Sequence, residues 1–233
     1  MILAFTLAIV ALLLIGIWGL ILVGEKSHEK ARRWLLGLEE VRGFLLHPRL
    51  FYHPGHTWVM PEGNGSVRVG IDDFGRRLVD GIYTVSLPAK GAQVVEGKGA
   101  VQLDCGRQKA QLVSPVNGVV TAVNKSLTKN GAPLERDPYG RGWLFTARVA
   151  DQKYTGFPTG AAAVEWLMQE TGRLSFFLHS ELGLTAADGG ELIPKPPVML
   201  SDEQWENLIR TFFRASRRYT SGNGEHPRKE ALL

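Results

Sequence analysis

Residues 2–24, ILAFTLAIVALLLIGIWGLILVG, contain no charged side chain. That run limits the fold more than any other feature of the chain. A helix crosses a bilayer with roughly 20 apolar residues, because each adds about 1.5 Å across a hydrocarbon core about 30 Å thick. A cleaved signal peptide has a basic start, a shorter apolar core and a small-residue cleavage site. No basic residue precedes this run, and it is too long. A buried core helix of a soluble domain would show a polar face, and none is present. The run therefore predicts a permanent single-pass anchor. Lys26, Lys30, Arg32 and Arg33 follow it. Basic flanks stay on the cytoplasmic side, so the expectation is an inner or plasma membrane protein with its N-terminus out and its body in the cytoplasm. The same side chains attract anionic headgroups.

The whole chain has 233 residues, 44% hydrophobic and 21% charged, enough for one ordinary domain with appendages. Its net charge is +4. The basic residues form no stripe interleaved with aromatics, so nucleic acid is not an expected partner. Cys105 is the only cysteine; it excludes an internal disulfide and fits a reducing compartment. No phosphate-binding G-x-x-x-x-G-K-[ST] and no G-x-S-x-G occurs, and GNGSVRVG lacks the spacing of a dinucleotide loop. His53 and His56 flank a Pro-Gly turn without a supporting cysteine or carboxylate pattern, so no metal site is expected. The acidic residues are scattered and read as solvated. With no catalytic constellation, the chain is not expected to be an enzyme.

Ala31, Trp34, Leu35, Leu38, Val41 and Leu45 recur at spacings of three and four and predict a helix over 27–46. Such a helix either continues the anchor, lies on the membrane or packs on its own domain. From Tyr52 to Val149 the character is β. SVRVGI alternates, YTVSLP and GVVTAVN are rich in β-branched residues, and EGNGS, AKGAQ, SPVNG and KNGAP mark turns. DDFGRRLVDG suits one or two helical turns. Two faintly similar halves, each with a Gly-Ala after a basic residue, suggest a compact sandwich or barrel. TGAAAVEWLMQETGRLSFFLH predicts a helix broken near Gly172. LSDEQWENLIRTFFRASRRY predicts another, opened by a Ser201/Gln204 capping box. Trp205, Leu208, Ile209, Phe212 and Phe213 form its apolar face, with Arg210, Arg214, Arg217 and Arg218 nearer solvent. The tail from Thr220 is polar.

HTWV (56–59), VRVGIDDF (67–74), LVDGIYTVSLPAKGAQVVEGK (78–98), QLDCGRQKAQLVSPVNGVV (102–120) and ERDPYGRGWLFTARV (135–149) together resemble the glycine cleavage system H proteins, of the lipoyl/biotinyl hammerhead group. DPYG.GWL is the most specific piece. The resemblance implies a mainly β fold, a lipoyl-type hammerhead or barrel-sandwich hybrid with flanking helices, here behind an N-terminal transmembrane helix. The resemblance spans roughly residues 52–150, and neither the anchor nor the segment after 160 belongs to an ordinary H protein; together with the residue patterns above, the expected organisation is anchor 1–24, juxtamembrane helical segment 25–51, lipoyl-type domain 52–150, C-terminal helical extension 151–219 and disordered tail 220–233.

The resemblance also implies a hairpin whose tip lysine carries lipoate in amide linkage and shuttles an aminomethyl group between partner enzymes. The protein supplies a platform and an arm, and the cofactor reacts. Counted back from Pro115 without gaps, Asp104 takes the family's glutamate, Cys105 its serine, Gly106 its valine and Arg107 its lysine. Amide formation needs an amine that can lose a proton. A guanidinium stays protonated and delocalised. Arg107 is thus not the usual attachment point, and no cofactor is expected there. Lys109, two residues on, is either a displaced lipoyl attachment site or an ordinary strand lysine. Cys105 is either a thiol activated by its basic neighbours or a small buried hydrophobe. Asp104, Cys105, Gly106 and Arg107 form the expected docking tip.

Three functions follow. The leading one is a membrane-anchored, non-lipoylated docking or scaffold subunit of an enzyme complex. The second is a lipoyl carrier modified at Lys109. The third is a transport-assembly adaptor, a class that usually inserts long helical hairpins in its hammerhead and keeps its body outside the cytoplasm.

Overall fold

The β-rich stretch folds into short strands joined by tight turns. A computed structural model describes residues 37–79, 81–106, 108–182 and 200–213. The anchor, the tail from Thr220, Arg107 and the first part of the juxtamembrane segment lie outside these residues. Among the described residues no helix is long and apolar enough to cross a membrane.

Three sheets form among the described residues. β1 (Glu39–Val41) and β2 (Phe44–Leu46) make a hairpin. A six-stranded sheet runs β3 (Phe51–Tyr52), β4 (Thr57–Gly63), β5 (Ser66–Ile71), β11 (Phe145–Val149), β10 (Gly118–Val123), β7 (Gln93–Val94). A three-stranded sheet runs β6 (Thr84–Ser86), β8 (Gly99–Cys105), β9 (Gln108–Val113), with β9 on its edge. All the named pairings are antiparallel. The alternation in SVRVGI becomes β5. Val67, Val69 and Ile71 are fully buried, while Arg68 faces outward to pair with Glu62 and lie over Trp143. Two short helices, α1 (Asp73–Leu78) and α2 (Ala132–Arg136), follow β5 and precede β11 in the chain. α1 is the short helix expected in DDFGRRLVDG.

The helix expected over 27–46 is corrected for its described part. Residues 39–46 are the β1–β2 hairpin, with Val41 paired to Phe44. Arg42 and Gly43 between them have φ of 47° and 83°, the left-handed conformation a two-residue hairpin turn demands and a helix excludes. Leu38, Val41 and Leu45 fit a spacing of three and four by coincidence. The buried set is instead Val41, Phe44 and Leu46.

Two longer helices follow the sheets: α3 (Gly160–Leu182) and α4 (Asp202–Phe212). The break expected at Gly172 does not occur. A glycine inside a helix costs about 1 kcal/mol. Trp166, Leu167, Leu174, Phe177 and Leu178, all buried on either side of it, hold the helix straight through. The capping box of α4 forms as its sequence predicts. The Gln204 N–H donates to Ser201 Oγ at 3.2 Å and the Ser201 N–H to Gln204 Oε1 at 2.9 Å. Gln204 Nε2 also donates to the Glu181 carbonyl at 2.7 Å, tying the start of α4 to the end of α3. Trp205, Leu208, Phe212 and Phe213 are buried and Arg210 is exposed, so the apolar face docks on the chain's own domain. Each such side chain removed from water contributes about 1.5–3 kcal/mol.

Candidate functional site

The hairpin β8–β9 carries the expected tip. Its register pairs Leu103 with Ala110, Asp104 with Lys109 and Cys105 with Gln108. Two positions, 106 and 107, separate that last pair in the sequence, and Gly106 is the one of the two that is described. Gly106 has φ of 82°, open to glycine and strained for a residue with a Cβ. The Asp104 carboxylate accepts from the Gly106 N–H at 3.0 Å and fixes the approach to the turn. Leu103, Ala110 and Leu112 are buried and root the hairpin in the core. Lys109 is exposed, and Cys105 is half-buried and outside any disulfide.

Tyr83 stands beside the tip, 67% exposed, its ring against Gly106. Its backbone is fixed on both sides. Its N–H donates to the Asp104 carbonyl and its carbonyl accepts from Gly131, each at 2.8 Å. Sequence reading did not single out Tyr83, because its neighbours at the tip come from strands far apart in the chain.

In an antiparallel ladder, hydrogen-bonded and non-hydrogen-bonded pairs alternate. The pair closing the two-residue turn is Cys105/Gln108, so the backbone of Lys109 faces away from β8, toward the open edge of β9. Helix α4 covers that edge. Trp205 Nε1 donates to the Lys109 carbonyl over a long 3.4 Å. The C-terminal extension thus braces the strand that carries the alternative attachment residue.

A second polar cluster lies beneath the same helix. His56 is 0% exposed and closes the HPGH turn. Its Nδ1 lies 2.9 Å from Asp72 Oδ2, while Asp72 Oδ1 accepts from the Gly75 N–H at 2.6 Å as the N-cap of α1. Its Nε2 faces Glu170 Oε2 of α3 at 3.7 Å. Glu170 holds Arg173 by two 2.6 Å hydrogen bonds, and Arg173 donates to the Thr211 carbonyl of α4 at 3.1 Å while lying over Phe212. Phe74 stacks on the imidazole at 4.5 Å, and Trp166, Phe212 and Phe213 surround it.

Burial alone pulls the His56 pKa down. The charge and hydrogen bond of Asp72, joined by Glu170, outweigh that and push it up to about 9. Burial pushes Glu170 up, but His56 and Arg173 together hold it below the ordinary carboxylate range. Among the described residues His53 has no carboxylate partner. Burial, then the charge of His56, depresses it to about 4, and its Nδ1 accepts from the Gly55 N–H. The reading of the carboxylates as solvated is therefore corrected: Asp72, Asp73, Asp137 and Glu170 are buried. The cluster has no access to solvent at its centre. It fastens the two long helices to the sheets.

The motifs of the resemblance each close a contact. Trp58 of HTWV donates to the Ile71 carbonyl at 2.9 Å and to Pro138 of DPYG at 3.2 Å. Tyr139 of DPYG donates to the Leu45 carbonyl at 2.7 Å and accepts from the Asp73 N–H at 3.1 Å. The Asp137 carboxylate accepts from the Arg141 N–H. In SPVNG, Ser114 Oγ donates to the Val116 carbonyl and Asn117 Oδ1 accepts from Glu96. A family model described as glycine cleavage H-protein matches residues 50–169, from β3 into α3. The chain belongs to the glycine cleavage H-protein family. It is 38% identical over 104 residues to the glycine cleavage system H protein of Mycobacterium avium (strain 104), covering 45% of this chain and 79% of that one. It is 38% identical over 98 residues to that of Xanthomonas campestris pv. campestris (strain B100), covering 42% and 75%. The crystal structure of a glycine cleavage system H protein from Mycobacterium marinum aligns with a TM-score of 0.47 at 24% identity, over 54% of this chain and 99% of that one. In this H-protein-like chain, Arg173, the end of α3 and all of α4 lie beyond the matched residues.

Proposed function

We propose that the protein is a membrane-anchored H-protein-like module whose hairpin tip docks on a protein partner of an enzyme complex and carries no lipoate. The observation that carries this reading is the hairpin register. With Cys105 paired to Gln108, the whole turn is Gly106 and Arg107, and neither offers the amine that an amide-linked lipoyl group needs. The residues at the tip do not fit that group. An arginine keeps a fixed charge and five donors, suited to a carboxylate or phosphate on a partner. The uncharged run 2–24 and the basic residues after it support the anchor and a cytoplasmic body. Reporter fusions after Leu233 should be active in the cytoplasm and silent outside.

Intact-mass analysis of protein made with lipoate and an active ligase should show no lipoyl addition. One observation favours the carrier reading: Lys109 is exposed next to the tip. Against it, Lys109 lies on a paired strand whose edge is covered by α4. If lipoyl mass appears and is lost in Lys109→Arg, the attachment point has moved and the docking reading fails. Arg107→Lys should gain the mass if the platform has kept the family's shape.

A further inference from the structure

Helix α3 buries one face and, among the described residues, leaves the other without a partner. On the open face Phe176 is 74% exposed and Met168 44%. Gln169, Gly172, Phe176 and Ser180, with Thr211 of α4, border an apolar hollow of about 570 Å³. Nothing stands above Gly172, so the helix backbone forms part of its floor. Leaving a phenylalanine in water is unfavourable by about 1.5–3 kcal/mol relative to burying it. An exposed apolar surface of this kind marks an interaction site.

The path of the chain indicates what covers it. Described structure starts at Gly37, and β1 begins two residues later and packs against α3. Only the twelve residues 25–36 separate Gly37 from the end of the uncharged run. They span at most roughly 40 Å when extended and about 18 Å as a helix. Anchoring by residues 2–24 would therefore hold the body close to the bilayer, tethered to it through Gly37 and β1, which packs against α3. That tether carries four basic residues against Glu25 and Glu29, a balance that draws it onto anionic headgroups. Met168, Gly172 and Phe176 form an apolar strip flanked on the same open face by Glu165, Gln169 and Arg173, and an apolar strip with a charged and polar rim suits the headgroup–acyl boundary.

Resting on the membrane-anchored reading above, we infer that the Met168–Gly172–Phe176 face of α3 lies in the interface of an anionic bilayer and orients the hairpin with respect to the membrane. The test uses the full chain with Cys105→Ser, reconstituted in phosphatidylcholine/phosphatidylglycerol vesicles. An environment-sensitive fluorophore is attached at Phe176→Cys or, as a control, at the exposed Lys125→Cys. The expected result is that the protein floats with the vesicles and that shallow spin-labelled lipid quenches the 176 label at least threefold more than the 125 label. Because Phe176 is exposed, Phe176→Glu should fold normally, and a label at Met168→Cys should then lose that quenching. Flotation with equal, weak quenching at both positions overturns the inference and leaves the anchor standing. Flotation with a 176 label shielded from water but not quenched by lipid overturns it in favour of a protein contact. Protein left at the bottom of the gradient overturns the anchor and the inference together.

Discussion

The hairpin tip and the His56 cluster are both charged, and they solve opposite problems. At the tip, Asp104 is half-buried and Gly106 and Lys109 are exposed, and the backbone is fixed by a few local hydrogen bonds. Around His56 the charges lie under aromatic rings and are set by groups from three places in the chain: Asp72, the Glu170–Arg173 pair of α3 and the Thr211 carbonyl. Exposed charges are screened and contribute little to stability. Buried ones are costly to leave unpaired. A substitution in the first region is therefore expected to cost little stability, while the second holds the C-terminal helices in place.

The largest expected effect comes from breaking the buried cluster. His56→Ala removes the cation facing Asp72 and Glu170 and empties the space between Phe74 and Trp166. Breaking a buried pair costs about 3–5 kcal/mol, and chemical denaturation should show a loss of that size. The pH dependence sharpens the point. His56 holds its proton in the folded state up to about 9, against about 6.5 unfolded. Its contribution is fully present below the unfolded value and is lost as pH rises through the folded one. Stability should therefore fall between pH 6.5 and 9, and His56→Ala should flatten that limb. His53 acts in the opposite direction. Its depressed pKa of about 4 makes stability fall as pH drops below 6.5, and His56→Ala, which removes the smaller of the two causes and keeps the burial, should shrink that acid limb without abolishing it.

This contrast also explains what could be read from the sequence. The hairpin is contiguous, and its turn follows from residue spacing and a glycine. The same holds for α1, for the capping box at Ser201 and Gln204, and for the apolar face of α4. His56 and Glu170 are 114 positions apart, and their pairing depends on how α3 crosses the sheets. No local periodicity encodes that. The β1–β2 hairpin was misread for a different reason. Its apolar residues satisfy helical spacing, and only the positive φ of Arg42 and Gly43 separates the two. Tyr83 was missed because strand pairing, not sequence distance, brings it to Gly106.

A smaller effect is expected at the turn. Gly106→Ala forces a Cβ into a left-handed conformation, at about 1–2 kcal/mol, and sets it 3.2 Å from the Tyr83 ring. Thermal unfolding should register that loss. The same change in Tyr83→Ala should be smaller, because the ring no longer opposes the new methyl. Equal losses in both backgrounds would assign the whole cost to the backbone.

Smaller again is the brace between the two regions. Trp205→Phe keeps most of the buried ring and removes the N–H that reaches the Lys109 carbonyl. A net hydrogen bond contributes about 0.5–1.5 kcal/mol, and at 3.4 Å the lower end is expected. Urea unfolding should show it.

The least costly change should be Lys109→Gln. The side chain is exposed, and the contact from Trp205 is made to its backbone, which the substitution leaves in place. Stability should therefore stay within about 0.5 kcal/mol of the parent. The double variant with Trp205→Phe tests this directly. If Trp205 recognises only the backbone, the two losses should add to within about 0.3–0.5 kcal/mol in a double-mutant cycle. A larger coupling would mean that the aliphatic stem of Lys109 packs on the indole. The hairpin would then not be free to change its chemistry independently of the helices, because its exposed lysine would be part of the brace.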